Sequence, residues 1–317
     1  MLNFSEIKTK IGRLAQRAND TNYATLIGDW VQLSHRTLAD IHDYWTELQE
    51  TYSFNTADGT ETYQLPNNFD KPFRLYDLTN KIVVTPKTEE EYSDNNLSNI
   101  ASATEGNSDQ YRIYGVSGVS TPISTSGDTV KAKSSASTES AATVVRVEGY
   151  LDSANLIMGY ENITIPAASA STYVAGTTTF YRITHISKSA NTTGYITIAN
   201  SAGTVLEYLA PNERVAKHKI MKLGLIPDGT HSMRLLYKKR APEMVNDYDY
   251  PFTECDNFLI MDGLGYAFSQ DKETQRADYA WKKAEEALRI LLMSQSNKLG
   301  PDYIHRIISK WMELHRR

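Results

Sequence analysis

Residues 220–251 read IMKLGLIPDGTHSMRLLYKKRAPEMVNDYDYP, and the fold reading turns on this stretch. It opens with a short apolar run, breaks at Pro227-Asp228-Gly229, and resumes with Met233, Leu235 and Tyr237 alternating with Arg234, Leu236 and Lys238. An Asp-Gly step between two such runs is a hairpin signal, and alternation at period two reads as a strand. Ala241-Pro242 ends that strand, because proline has no N–H to give to a ladder. An acidic linker follows (Glu243, Asp247, Asp249, Glu254, Asp256) without Lys or Arg, and then a long helix. A hairpin arm feeding a helix is an architecture for docking, and it carries no chemistry.

Outward from this stretch, the N-terminal side begins with helices. Phe4, Ile7, Ile11 and Leu14 sit at helical spacing, and Asn19-Asp20-Thr21-Asn22 breaks the chain and supplies an N-cap. A second helix is predicted to about residue 49, with Leu26, Ile27, Trp30, Leu38, Ile41 and Trp45 on one stripe. Residues 52–54 and 62–64 read as a hairpin around Asp58-Gly59, closed by Leu65-Pro66, and residues 73–78 and 81–84 as a further strand pair. Residues 88–91 begin a short capped helix, and residues 111–114 form one more strand. Residues 117–142 are mostly Ser, Thr, Ala and Gly, which predicts a flexible linker or long loop. Strands are then expected at 144–147, 162–165, 180–186, 194–198 and 205–209, suggesting a small immunoglobulin-like sandwich without the cysteine pair of a true immunoglobulin domain.

On the C-terminal side, helices are predicted over 258–270 and 271–294, broken from a last amphipathic helix by Gly300-Pro301. That helix carries Ile304, Ile307, Ile308 and Trp311 on one side and needs somewhere to bury them; a partner groove is the first expectation and packing on its own domain the second.

Composition narrows the function classes. A chain of 317 residues suggests two domains, and 40% hydrophobic content is enough for sizeable cores. The net charge of −5 argues against a general nucleic-acid binder. The single cysteine, Cys255, excludes an internal disulfide framework and fits synthesis in a reducing cytosol. The start MLNFSEIKTKIG is charged, unlike a signal peptide, and no run is apolar enough to predict a membrane span. Twenty tyrosines point to β-rich surface and interface, or alternatively to a glycan-binding face.

No catalytic signature stands out: there is no H-E-x-x-H, phosphate-binding P-loop or G-x-S-x-G. Gly263-Leu264-Gly265 lies in an apolar helix and not after a strand, so it is no dinucleotide fingerprint. His35 and His42 are seven apart and lack a third ligand, which reads as two surface residues. Cys255 beside Asp256, ahead of a helix, suggests a depressed thiol pKa without a partner histidine. The expectation is a protein with no catalytic residues, no cofactor and no metal.

The order of elements carries a resemblance. Two N-terminal helices precede Tyr63-Gln64-Leu65-Pro66-Asn67-Asn68-Phe69, then the strand at 73–78 and Asp109-Gln110-Tyr111-Arg112-Ile113-Tyr114-Gly115. Leu225-Ile226-Pro227-Asp228-Gly229, Leu235-Leu236-Tyr237-Lys238-Lys239 and a helix pair follow. Over residues 1–115 and 216–317 this resembles the head-to-tail adaptor, or connector, proteins of tailed bacteriophages. The departure is the block between Gly115 and Lys217.

The resemblance implies a helical bundle with an extended β-hairpin arm; with the strand pattern of the departing block read as an inserted all-β, immunoglobulin-like sandwich, the expected fold class is α+β. The corresponding division is 1–115 and 216–297 for the adaptor core, 116–215 for linker and insert, and 298–317 for a docking tail helix. It implies a structural virion protein in the neck between capsid and tail, made in the host cytoplasm. The chain would be a homo-oligomeric ring, expected at twelve copies, whose self-contact is heterologous and closed. Its partners would be the portal protein and a downstream tail or nozzle protein, with double-stranded DNA passing through unbound and no membrane involved. Position assigns portal docking to Tyr303, Ile304, Ile307, Ile308, Trp311, Arg316 and Arg317, and tail contact to Asp58, Gly59, Pro227, Asp228 and Gly229. Each Lys or Arg facing phosphate adds affinity, so an acidic wall suits a channel, with Asp40, Asp43, Glu47, Asp247 and Asp249 as candidates. Two other readings compete: an oligomeric tail or capsid decoration protein whose β-domain binds host glycan, and an enzyme acting on cell-wall glycan with two positioned carboxylates.

Overall fold

The computed structural model describes residues 1–95, 105–124, 126–216, 218–244, 246–295 and 301–315. The chain divides into two compact units, Met1–Glu50 with Lys238–Arg317, and Thr51–Tyr237. Its helices are α1 (Phe4–Leu14), α2 (Thr21–Ile41), α3 (Glu89–Asn95), α4 (Asp256–Gln270), α5 (Thr274–Gln295) and α6 (Pro301–His315). All but α3 belong to the first unit. Gly300, where the sequence reads a break, lies outside the described residues.

In the first unit the helices share one core, which includes Ile7, Ile11, Val31, Leu38, Phe258, Leu264, Leu288 and Trp311. The α1 start is closed by a capping box: the Asn3 carboxamide oxygen accepts from the Glu6 N–H at 2.9 Å and the Glu6 carboxylate accepts from the Asn3 N–H at 2.9 Å. Asp20 caps α2 through the Tyr23 N–H at 3.1 Å. The apolar stripe predicts that α2 runs on to about residue 49, but it stops at Ile41. Side chains satisfy the carbonyls at that end. Trp45 Nε1–H donates to the Leu38 oxygen at 2.9 Å, and Lys238 Nζ donates to the oxygens of Ala39 at 2.7 Å and His42 at 3.3 Å. A cation on the last carbonyls also suits the helix dipole. Tertiary contact here overrides local periodicity.

The second unit is built from strands. They are β1 (Gln49–Asn55), β2 (Thr62–Gln64), β3 (Phe69–Asp77), β4 (Ile82–Pro86), β5 (Gln110–Ser117), β6 (Asp128–Ser134), β7 (Thr143–Tyr150) and β8 (Met158–Ile165). The rest are β9 (Val174–Phe180), β10 (Arg182–Lys188), β11 (Ile196–Asn200), β12 (Val205–Leu209), β13 (Val215–Ala216), β14 (His218–Leu223) and β15 (Ser232–Lys239). One seven-stranded sheet runs β1-β15-β3-β4-β5-β14-β2.

That order overturns both expected hairpins. β14 and β15 flank Pro227-Asp228-Gly229 yet are not neighbours, and neither are β1 and β2 around Asp58-Gly59. Instead β1 lies beside β15 and β2 pairs with β14, so the two segments exchange partners. β1 and β2 stand at opposite edges of this sheet, which would be about 29 Å apart if it were flat. Residues 56–61 joining them reach at most about 25 Å fully extended, and they are folded into a turn. The sheet must therefore curl. The Phe54 ring on β1 does meet the Tyr63 ring on β2, with centroids 5.2 Å apart.

Two four-stranded sheets, β13-β10-β7-β8 and β12-β11-β6-β9, enclose a second core of Val130, Val145, Val147, Ile163, Phe180, Ile186, Ile196 and Ile198, among others. β6 lies inside the segment read as a linker. Its small residues Val130 and Ala132 are buried, alternating with Lys131 and Lys133, so short side chains suffice where strands pack closely.

The expected fold class is therefore corrected. The described residues are mostly β, in three sheets, with helices mainly at the two ends of the chain; the fold is not a helical bundle with an inserted domain. Nor is the strand order immunoglobulin-like. β6 and β7 already lie in different sheets and β7–β8 form a hairpin within one, whereas an immunoglobulin fold keeps its first two strands in one sheet and places the third in the other.

Candidate functional site

The candidate tail-contact residues come from two distant parts of the sequence, and the structure brings them together. At one end of the curled sheet the Gly59 N–H donates to the Pro227 oxygen at 3.2 Å. Thr56 clamps the same pair of loops: its N–H donates to the His231 oxygen at 2.9 Å, its hydroxyl donates to the Gly229 oxygen at 2.8 Å, and it accepts from the His231 N–H at 2.7 Å. Gly59 holds the turn with a left-handed φ of 72°, a conformation costly for other residues. Asp58 and Asp228 are exposed, Gly229 is half-buried and Pro227 is buried.

A polar network beneath these loops was not singled out from the sequence. Asp77, buried, accepts from the Asn80 backbone N–H at 3.0 Å and from the Asn80 side-chain amide at 2.8 Å. The same amide lies 2.7 Å from His231 Nδ1, and His231 Nε2 lies 2.9 Å from Asp228 Oδ1. With Nδ1 accepting from Asn80, Nε2–H donates to Asp228. This ties the exposed loop to the strand beneath it, and no spacing rule links residues 77, 80, 228 and 231.

In the helical unit, Ile304, Ile307, Ile308 and Trp311 of α6 are buried in the unit's own core, and Tyr303 is half-buried. The Trp311 and Phe258 ring centroids lie 6.0 Å apart. The apolar face expected to need a partner groove is thus covered by this chain's own helices. Arg306 and Lys310 lie on the exposed side; Arg316 and Arg317 lie outside the described residues.

The acidic candidates are largely engaged inside the same unit. Asp43 pairs with Lys238 at 3.3 Å, Asp247 with Lys8 at 2.8 Å, and Glu47 accepts from the hydroxyl of Thr253 at 2.7 Å. Asp249 accepts from the Asn246 N–H at 2.7 Å, and Asp40 is exposed on α2.

Other residues weighed in the sequence turn out to be packing residues. His35 and His42 are buried, not on the surface. His35 Nε2 accepts from the Phe252 N–H at 3.1 Å, and burial, with Arg36 adding to it, pushes its pKa down to about 4. Cys255 is buried, and desolvation, reinforced by Asp256, raises its pKa, opposite to the depressed value expected. Among the described residues no group of three His, Cys, Asp or Glu is placed to hold a metal ion, and no helix is long and apolar enough to cross a membrane.

Comparison with known families places this geometry in context. Residues 2–132 match the family model described as SU10 adaptor protein. The match supports a phage adaptor-type protein. The adaptor match spans α1, α2, β1 to β5 and most of β6, and so includes the Asp58-Gly59 loop and the Asp77–Asn80 part of the network. No curated protein matches the chain. Among solved structures, the infectious bursal disease virus VP2 subviral particle aligns at 8% identity with a TM-score of 0.07, over 62% of this chain and 38% of that one. The chain spans well under half of that protein, and so low a score carries no argument.

Proposed function

We propose that this chain is a structural head-to-tail adaptor, a ring subunit between the portal and the tail through whose channel the genome passes. The observation that carries the reading is the adaptor-family match over residues 2–132, which supports a virion component associated with other phage neck proteins. The joined loops at Asp58-Gly59 and Pro227–Gly229 support it further. A contact point assembled from two distant loops and braced by Thr56 and His231 is preorganised, which lowers the ordering cost of binding. In this reading those loops meet the tail component below the ring, and the exposed side of α6, with Arg306 and Lys310, faces the portal. The net charge of −5 favours passage of DNA without capture.

Quantitative peptide mass spectrometry of purified particles tests this. A one-to-one ratio of this chain to the portal chain is the expected result. A ratio several-fold higher would move the protein to the capsid surface or fibres, and absence from the particle would remove the reading.

A second reading, a decoration protein that binds host glycan, draws on exposed tyrosines around the two four-stranded sheets: Tyr160 on β8, Tyr208 on β12 and Tyr195 just before β11 are each more than half exposed. Binding to a host polysaccharide panel would favour it, and a flat profile would count against it.

A further inference from the structure

His218 stands at the joint between the curled seven-stranded sheet and the paired four-stranded sheets, and it is only 4% exposed. It begins β14, opposite Ser117 of β5, immediately beyond β13 of the neighbouring sheet. Both ring nitrogens are engaged. Nδ1 lies 2.7 Å from the Leu65 carbonyl oxygen, just past β2, and Nε2 lies 2.7 Å from Glu207 Oε2 on β12. A carbonyl and a carboxylate are both acceptors, so filling both contacts requires two N–H groups on the ring. Glu207 is equally buried and is held in place: its Oε2 also accepts from the Ser120 N–H at 2.6 Å and its Oε1 from the Tyr208 N–H at 2.9 Å.

We propose that His218 is a pH-sensitive latch between the two β layers, closed as an imidazolium bridging Glu207 to Leu65 and opened when rising pH removes one ring proton. With one proton gone, one of the two contacts at 2.7 Å becomes acceptor against acceptor, and a buried carboxylate or carbonyl loses its donor. The titratable groups facing the ring are Glu207 on β12 and Glu213 on the segment before β13. β5 places Ser117 opposite it, and the turn after β2 brings the Leu65 carbonyl to Nδ1.

The pKa direction agrees with the geometry. Burial lowers the His218 pKa, but the Glu207 hydrogen bond and charge, the Leu65 carbonyl and Glu213 outweigh it, so the net shift is upward. A histidine raised in the folded state contributes stability that is complete below its unfolded value near 6.5 and is lost as pH rises through the folded value. Low pH keeps the joint closed, and rising pH loosens it. Neither the ring nor the portal contact is needed for this, so it stands or falls separately from the adaptor reading.

Two measurements on the full chain test the latch. Nitrogen-15 NMR of the imidazole at pH 6 is expected to show both nitrogens of His218 protonated; a neutral single tautomer there overturns the proposal. Hydrogen-exchange protection factors, corrected for intrinsic rates, are then compared at pH 6 and pH 9 for residues 62–66, 117–120 and 205–209. Protection is expected to fall from pH 6 to pH 9 in the wild type, because losing one ring proton leaves a buried acceptor without its donor. In His218→Gln it should already be low and should not change with pH. Protection in the wild type that survives deprotonation of His218 also overturns the latch, and that arm does not depend on how well the variant folds.

Discussion

Single side chains in the helical unit carry opposite electrostatic loads. His35 is held neutral by burial, with a folded pKa of about 4 against 6.5 when free. Between those values the unfolded chain binds more protons than the folded one, so the contribution is complete above about pH 6.5 and is lost as pH falls towards 4. The shift corresponds to about 3 kcal/mol. His42, also lowered by burial, adds in the same direction. Urea midpoints followed by helical circular dichroism should therefore drop between pH 7 and pH 4.5 in the wild type and drop less in His35→Gln; equal slopes would assign the acid sensitivity elsewhere. Lys238 is the opposite case, a buried cation whose role is to terminate α2. Its replacement by methionine leaves the Ala39 and His42 carbonyls and Asp43 without their ammonium, and should cost about 3 kcal/mol in the same experiment. Lys238 was legible in the sequence only as the outward member of an alternating strand. Its burial depends on a helix end nearly two hundred residues earlier in the chain.

At the scale of elements, most strands and helices were legible because each follows a local period. The pairing was not. Asp-Gly between two alternating runs is a sound signal for a turn, and turns do form at Asp58-Gly59 and near Asp228-Gly229. Which strands then pair depends on curvature that no local window contains. The α2 boundary failed for the same reason, and β6 was hidden because alanine and valine among serines resemble a linker. The Asp77–Asn80–His231–Asp228 network, spread over four positions without a period, had no sequence signal to offer. Two substitutions test the elements as packed. Gly149 on β7 lies where a Cβ would meet the Arg182 carbonyl oxygen of β10, so Gly149→Ala should destabilise by about 1–3 kcal/mol because backbone must move. A thermal midpoint unchanged by it would contradict the β7–β10 register. Trp311→Ala should cost about 3–5 kcal/mol if α6 is part of the helical core in the isolated chain. A helix that packs only on a partner would leave the urea midpoint of the free protein where it was.

For the molecule as a whole, the decisive feature is how the chain is shared between its two units. Thr51–Tyr237 is continuous and holds the core of the four-stranded sheets and a separate core on the seven-stranded sheet around Leu75, Tyr111 and Leu235, whereas the helical unit is assembled from Met1–Glu50 and Lys238–Arg317. Its core places Ile11 and Val31 from one segment with Phe258, Leu264 and Leu288 from the other, so neither segment buries its apolar face alone. A fragment of residues 49–239, cut to keep β1 and β15 whole, should therefore fold cooperatively, with a β-type far-ultraviolet spectrum and a single urea transition. Residues 1–50 and 238–317 expressed apart should each lack a cooperative transition, and mixing them should restore one, since two amphipathic halves then complete one core. A fragment of residues 49–239 that stays unfolded would mean that the β unit draws its stability from the helices. That result would change how this chain is understood to be built: the helical segments would be a condition for the β fold and not a separate body. Folding of residues 238–317 alone would instead show that α4 to α6 form a self-sufficient core, and the first fifty residues would become an addition to it.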